Sequence, residues 1–275
     1  MTVSSDWARL SRAARDAAYN NSEAVPDSPA IVAKRAAGSA AFRATHPDRL
    51  DIPYGPRERN AWDLFPAADA SAPCLVFIHG GYWQRNSRDG ASVLCEGIRA
   101  HGWSAAFPGY TLAPDATLSE IVAEIHTSLD WLARQGAAHG IGGRIVVTGW
   151  SAGGHLTAMA LSHPAVVAAL AISGVFELGP IRDTYLNEKL QLSDAEVETL
   201  SPLRLPVVMK PMSIAYGTAE LPALIEDSRA LHARRAGAHA PGALLPVSGA
   251  NHFNILDHLQ AKDGLITRQI LDLLR

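Results

Sequence analysis

Residues 144–156 read Arg-Ile-Val-Val-Thr-Gly-Trp-Ser-Ala-Gly-Gly-His-Leu. The first five are a continuous apolar run, the pattern of a strand buried on both faces. From Ala152 the pattern becomes helical. Between them lies Gly149-Trp-Ser-Ala-Gly153, a Gly-x-Ser-x-Gly placed where a strand turns sharply into a helix. A serine on such a turn stands clear of the backbone, and the new helix aims free N–H groups and the positive end of its dipole at it. Ser151 is therefore the expected nucleophile, and the N–H of Ala152 one expected donor to the anion formed by its attack.

Further strand-like runs lie at 74–78, 103–107, 166–172, 212–216 and 243–247, with helical patterns at 118–133, 152–161, 221–235 and 255–274. Short strands alternating with helices imply an α/β fold, a mostly parallel central sheet with helices on both faces. Ahead of them, 49–52 and 60–65 flank the turn-like Pro53-Tyr-Gly-Pro56 and suggest an antiparallel hairpin. No repeat or linker divides the chain, so one domain spanning 1–275 is expected. Residues 1–48 form a helical N-terminal extension in which Ser28-Pro29 resembles a capped helix start. Residues 176–211 form a short, lid-like helical excursion over the active site.

The chain has 275 residues, 48% hydrophobic and 19% charged, with net charge −3. That balance supplies a core and does not suggest a nucleic-acid footprint. Cys74 and Cys95 lack metal or redox spacing, and Cys74, in an apolar strand run, reads as a buried structural thiol. No apolar stretch approaches the roughly 18 residues of a membrane span, and the first residues lack the pattern of a secretory leader. The reading is a cytoplasmic protein without membrane contact; a homodimer is compatible with it.

A serine needs a base and a carboxylate behind the base. Val247-Ser-Gly-Ala-Asn-His252 leaves the last strand and delivers His252. His155 and His258 lie in helical patterns and read as packed or solvated. Glu220 is the only acid in the loop after 212–216, and Glu177, after 166–172, is the alternative. The remaining oxyanion donors are expected from His79-Gly-Gly-Tyr82, where glycines expose bare backbone; Gly81 and Tyr82 are assigned. Aromatics in the predicted mouth loops, Trp83, Trp150, Phe176, Tyr185 and Phe253, are the expected substrate pocket.

Taken together, His79-Gly-Gly-Tyr-Trp-Gln84, Gly149-Trp-Ser-Ala-Gly-Gly-His-Leu156, Ser173-Gly-Val-Phe-Glu-Leu-Gly-Pro-Ile181, Glu220-Leu-Pro222 and Asn251-His-Phe253 resemble the α/β-hydrolase superfamily. Within it they resemble the HGG-type esterases of the arylformamidase (kynurenine formamidase) group. That family usually has aspartate in an Asp-x-Pro context where this chain has Glu220. The resemblance implies a hydrolase of N-formyl-kynurenine or small aryl esters, with a small ester or amide of aromatic or apolar character as its partner. No metal and no cofactor are expected. An acyltransferase with the same triad, or a non-catalytic binding protein of this fold, are the alternatives.

Overall fold

The computed structural model describes residues 7–275; the reading of residues 1–6 as lacking a leader lies outside them. The eight strands are β1 Ile52–Pro53, β2 Ala61–Phe65, β3 Cys74–Ile78, β4 Ser104–Pro108, β5 Ile145–Trp150, β6 Val166–Ile172, β7 Met212–Gly217 and β8 Leu244–Val247. They form one sheet in the order β1-β2-β4-β3-β5-β6-β7-β8. β1 pairs with β2, and β2 with β4, antiparallel; every pairing from β4 to β8 is parallel. The α/β expectation holds, and the sheet is mostly parallel.

Alternation along each strand splits the core into two layers. Cys74, Val76 and Ile78 face the helices Leu118–Gln135, Ala152–Ala160 and Pro222–Gly237. Leu75 and Phe77 face a second layer that includes Ile98, Leu256, Ile266 and Ile270, with Ile31 and Phe42 of the helix Ser28–Ala44 packed against it. Because both faces are covered, every residue of β3, β4, β5 and β7 is buried. Among the described residues no helix is long and apolar enough to cross a membrane.

Local details differ from the sequence expectation in four places. The first hairpin arm shrinks to two residues, because Pro47–Arg49 forms a 3-10 turn. Ser28 is the first residue of its helix; Asp27 stands at the cap position without a side-chain cap bond. The 176–211 excursion is only partly helical, with short helices Gly179–Arg182, Asn187–Leu190 and Asp194–Leu200. The 255–274 helix is broken into Asp257–Gln260 and Leu265–Asp272, after a 3-10 turn at Asn254–Leu256. Ala261 is extended there, and Thr267 Oγ1 donates to the carbonyls of Leu259 and Ala261, both at 2.9 Å. That hydroxyl satisfies acceptors the broken helix leaves open.

The helix Ser28–Ala44 is tied to the sheet edge by charge. Asp63 on β2 is fully buried and pairs with Arg43 of that helix and, at 3.2 Å, with Arg88. Removing the carboxylate leaves two largely buried guanidinium groups with the exposed Asp51 as their remaining shared acid. Asp63→Ala should lower the unfolding free energy by about 3 kcal/mol, read as a lower denaturant midpoint at unchanged slope. A shift of less than about 0.5 kcal/mol would show that the pair does not hold the helix.

Candidate active site

Ser151 sits between β5 and the helix Ala152–Ala160 with φ 59° and ψ −120°. A non-glycine residue held there costs on the order of 1–3 kcal/mol and persists only when its surroundings enforce it. Three glycines do so. A Cβ at Gly153 would strike the Ile78 carbonyl at the end of β3, and one at Gly149 would strike the backbone of Gly153. At Gly80 it would lie 2.5 Å from the Trp150 carbonyl and 2.9 Å from Ser151 Cβ. Ser151 N–H donates to the Ile172 carbonyl at 2.8 Å, which fixes the turn to β6.

His252 is buried in the loop after β8, with Nδ1 3.0 Å from Glu220 Oε2. A carboxylate at Nδ1 places the ring proton there and leaves Nε2 as an acceptor. The loop is fixed from two sides. Asn251 Oδ1 accepts from the N–H groups of Phe253 at 2.9 Å and Asn254 at 3.0 Å. Trp150 Nε1 donates to the His252 carbonyl at 2.7 Å, and its ring lies 4.9 Å from the imidazole. No hydrogen bond joins Ser151 Oγ to His252, a contact that often tightens only with substrate bound.

The two acids occupy different surroundings. The Glu220 side chain has no exposed surface; its Oε1 accepts from Ser173 Oγ at 2.5 Å and from Gly217 N–H at 2.6 Å. Glu177 instead faces Arg204, whose Nε is 3.0 Å from both carboxylate oxygens, and caps Gly179 N–H at 3.0 Å. Glu220 lies beside His252; Glu177 is engaged within the excursion.

After β3 the chain takes three successive positive φ values, 114° at Gly81, 50° at Tyr82 and 59° at Trp83. Successive turns of this hand form a concave nest of N–H groups suited to an anion. The N–H groups of Gly81 and Tyr82 have no acceptor among the described residues. Ala152, first in its helix, has no intrahelical acceptor either. Tyr82 is held from behind, its hydroxyl donating to the Tyr19 carbonyl at 2.7 Å and accepting from Asn21 at 2.9 Å. His79 donates from Nδ1 to the Gly80 carbonyl at 2.9 Å and stacks on Tyr110 at 4.2 Å. Burial pulls its pKa down to about 4, so the ring is neutral near pH 7.

Next to Gly80 lies a cavity of about 190 Å³ lined by Phe77, Leu94, Trp150 and Leu256, with Arg35 and Asn86 among its polar groups. Of the five aromatics expected in the pocket, Trp150 lines it, and Phe253 packs edge-on against Trp150 at 5.7 Å. Trp83 and Phe176 are fully buried and do not line it. The left-handed turn carries the Trp83 indole into the core, edge-on to His155 at 5.0 Å. Tyr185 is half-buried on the excursion, its N–H donating to Asp16 at 2.7 Å. Sequence reasoning anticipated a helix starting at Ser28 but missed that it lines the cavity with Val32, Arg35 and Ala36, and missed the hydroxyl of Ser173.

The BD-FAE family matches residues 63–166, which hold the β3 loop and the elbow. A kynurenine formamidase from Danio rerio is 28% identical over 98% of this chain and 99% of its own length. A candidate thioesterase from Silicibacter sp. TM1040 superposes with a TM-score of 0.83 at 28% identity, covering 93% of this chain and 98% of that one. Esterase B from Lactobacillus rhamnosis shares the fold, with a TM-score of 0.68 at 20% identity over 90% and 95%. The chain is a hydrolase of the α/β-hydrolase superfamily. Within it, the chain resembles the HGG-type esterases of the arylformamidase group.

Asp227, on the helix Pro222–Gly237, holds the start of the excursion by accepting from Phe176 N–H at 2.6 Å and Glu177 N–H at 3.2 Å. Burial raises its carboxyl to about 7 against the donated hydrogen bonds. The unfolded chain releases this proton near pH 4, so the folded chain loses relative stability as pH rises from about 4 to about 7. Asp227→Asn, which keeps an acceptor and cannot ionise, should flatten that part of the stability profile in denaturant titrations. An unchanged pH slope would contradict the assignment.

Proposed function

We propose that the chain is a serine hydrolase that cleaves small carboxylic esters or aryl formamides through an acyl-enzyme on Ser151. The observation that carries this reading is the buried contact between His252 Nδ1 and Glu220, beside a strained serine at a strand–helix junction. In this reading His252 Nε2 takes the Ser151 proton as Oγ attacks the substrate carbonyl. The resulting oxyanion is met by the N–H groups of Gly81, Tyr82 and Ala152, which are fixed in place before the reaction begins. Collapse of the tetrahedral species breaks the bond to the leaving alcohol or amine, which receives the proton from His252. Water then repeats the sequence, releasing the acid and restoring Ser151. Glu220 stabilises the transient imidazolium and keeps its proton on Nδ1.

The cavity beside Gly80 suits a flat apolar group, being walled by Phe77, Leu94 and Trp150 and comparable in size to sites that hold a single aromatic ring. Likeness to kynurenine formamidase adds formamides to esters as the acyl class. We read the chain as one domain, with residues 1–48 as an extension and 176–211 as a lid-like insertion.

Ser151→Ala should abolish hydrolysis of a short p-nitrophenyl ester, a loss of at least about 10³-fold in kcat, with melting temperature retained; turnover within tenfold of the parent would sink the mechanism. Glu220→Gln should reduce kcat far more than Glu177→Gln, and the reverse ranking would move the acid. A kcat/KM comparison of N-formyl-kynurenine with aryl acetates ranks the two substrate classes; activity on neither would contradict the proposed function.

A further inference from the structure

We infer that Ser173 is a positioning residue for catalysis, its hydroxyl orienting the Glu220 carboxylate toward His252. The inference rests on the reading of Ser151, Glu220 and His252 as the catalytic triad. Ser173 follows β6 directly and is fully buried. Its Oγ donates to Glu220 Oε1 at 2.5 Å, a short, charge-assisted contact, and leaves Oε2 to His252 Nδ1 at 3.0 Å. Gly217 N–H is the second donor to Oε1, at 2.6 Å. The two donors approach one oxygen from two different strand ends, which fixes the carboxylate plane and turns the other oxygen to the imidazole.

Two features argue that this side chain is present for more than packing. Glutamate has one more rotatable bond than aspartate, so its carboxylate needs an additional anchor to face the imidazole in one orientation. Ser173 also has φ 50°, a left-handed backbone that glycine adopts freely and that strains a residue with a Cβ. Gly174 follows immediately, so glycine is already used in this turn. Retaining a strained serine at 173 is accounted for by its hydroxyl, the one group there that glycine lacks and that reaches Glu220.

The test compares Ser173→Gly and Ser173→Ala with the parent protein. Glycine fits the backbone, so it removes the hydroxyl without the left-handed strain that alanine keeps, and Ser173→Gly should melt at or above Ser173→Ala. With an aryl acetate, kcat should fall about ten- to a hundredfold in both variants, the scale of a lost hydrogen bond to a charged group, while KM stays within about twofold. The downfield proton resonance of His252 Nδ1–H should move or broaden in both variants. Retention of parental kcat in Ser173→Gly, or a loss that only follows the fraction of unfolded protein, would overturn the assignment. The proton resonance is independent of turnover. If Ser151→Ala were to remain active, the triad reading would fail, yet the resonance would still report whether Ser173 holds Glu220.

Discussion

The structure depends on how closely one helix start approaches one strand end. Gly153 lies so near the Ile78 carbonyl that no side chain fits between them, and Gly149 is closed against Gly153 in the same way. At that junction Ser151 is held at φ 59°, outside ordinary extended or helical backbone. It also places the first N–H of the helix beside the end of β3, where the chain turns left-handed through Gly81, Tyr82 and Trp83. The strained Ser151 turn and the free N–H groups near it thus share one close backbone approach.

Burial sorts the acids around this corner. Glu220 is out of water and accepts two short hydrogen bonds at one oxygen, leaving the other for His252. Glu177 is matched by a guanidinium and fastens the excursion to itself. Among the described residues Asp227 meets backbone donors and no cation, and its carboxyl is pushed up to about 7. Three carboxylates that are similar in sequence thus differ in what meets their charge. The N-terminal segment completes the arrangement, with Tyr19 and Asn21 hydrogen-bonded to the Tyr82 hydroxyl and Arg43 anchored at Asp63.

Most of the sheet was legible in the sequence, because strands buried on both faces must be continuously apolar and the helices between them must not be. The broken C-terminal helix was not. Its apolar period runs past Ala261 and Gly264, and the break is stabilised by the Thr267 hydroxyl six to eight residues on, which the apolar period does not register. At the candidate site, the motif spacing pointed to Ser151, Ala152 and His252, and loop position favoured Glu220 over Glu177; the structure brings Glu220 to His252 and leaves Glu177 with Arg204. Side-chain direction was the less legible part. Trp83 lies close to Gly80 and Gly81 in sequence, yet the sign of φ turns its ring into the core. Ser173 and Arg35 come to the site from other parts of the chain, and only the fold brings them there.

The central claim is that Ser151 carries the acyl group between two displacements. Its most direct measurement is intact-mass and peptide-mass analysis after rapid quench with a slowly deacylating aryl ester. The account predicts one acyl adduct per chain, located on the peptide containing Ser151, formed in step with release of the first equivalent of phenol and absent in Ser151→Ala. Phenol release with no adduct on that peptide, or an adduct that persists at another residue when Ser151 is alanine, would contradict it.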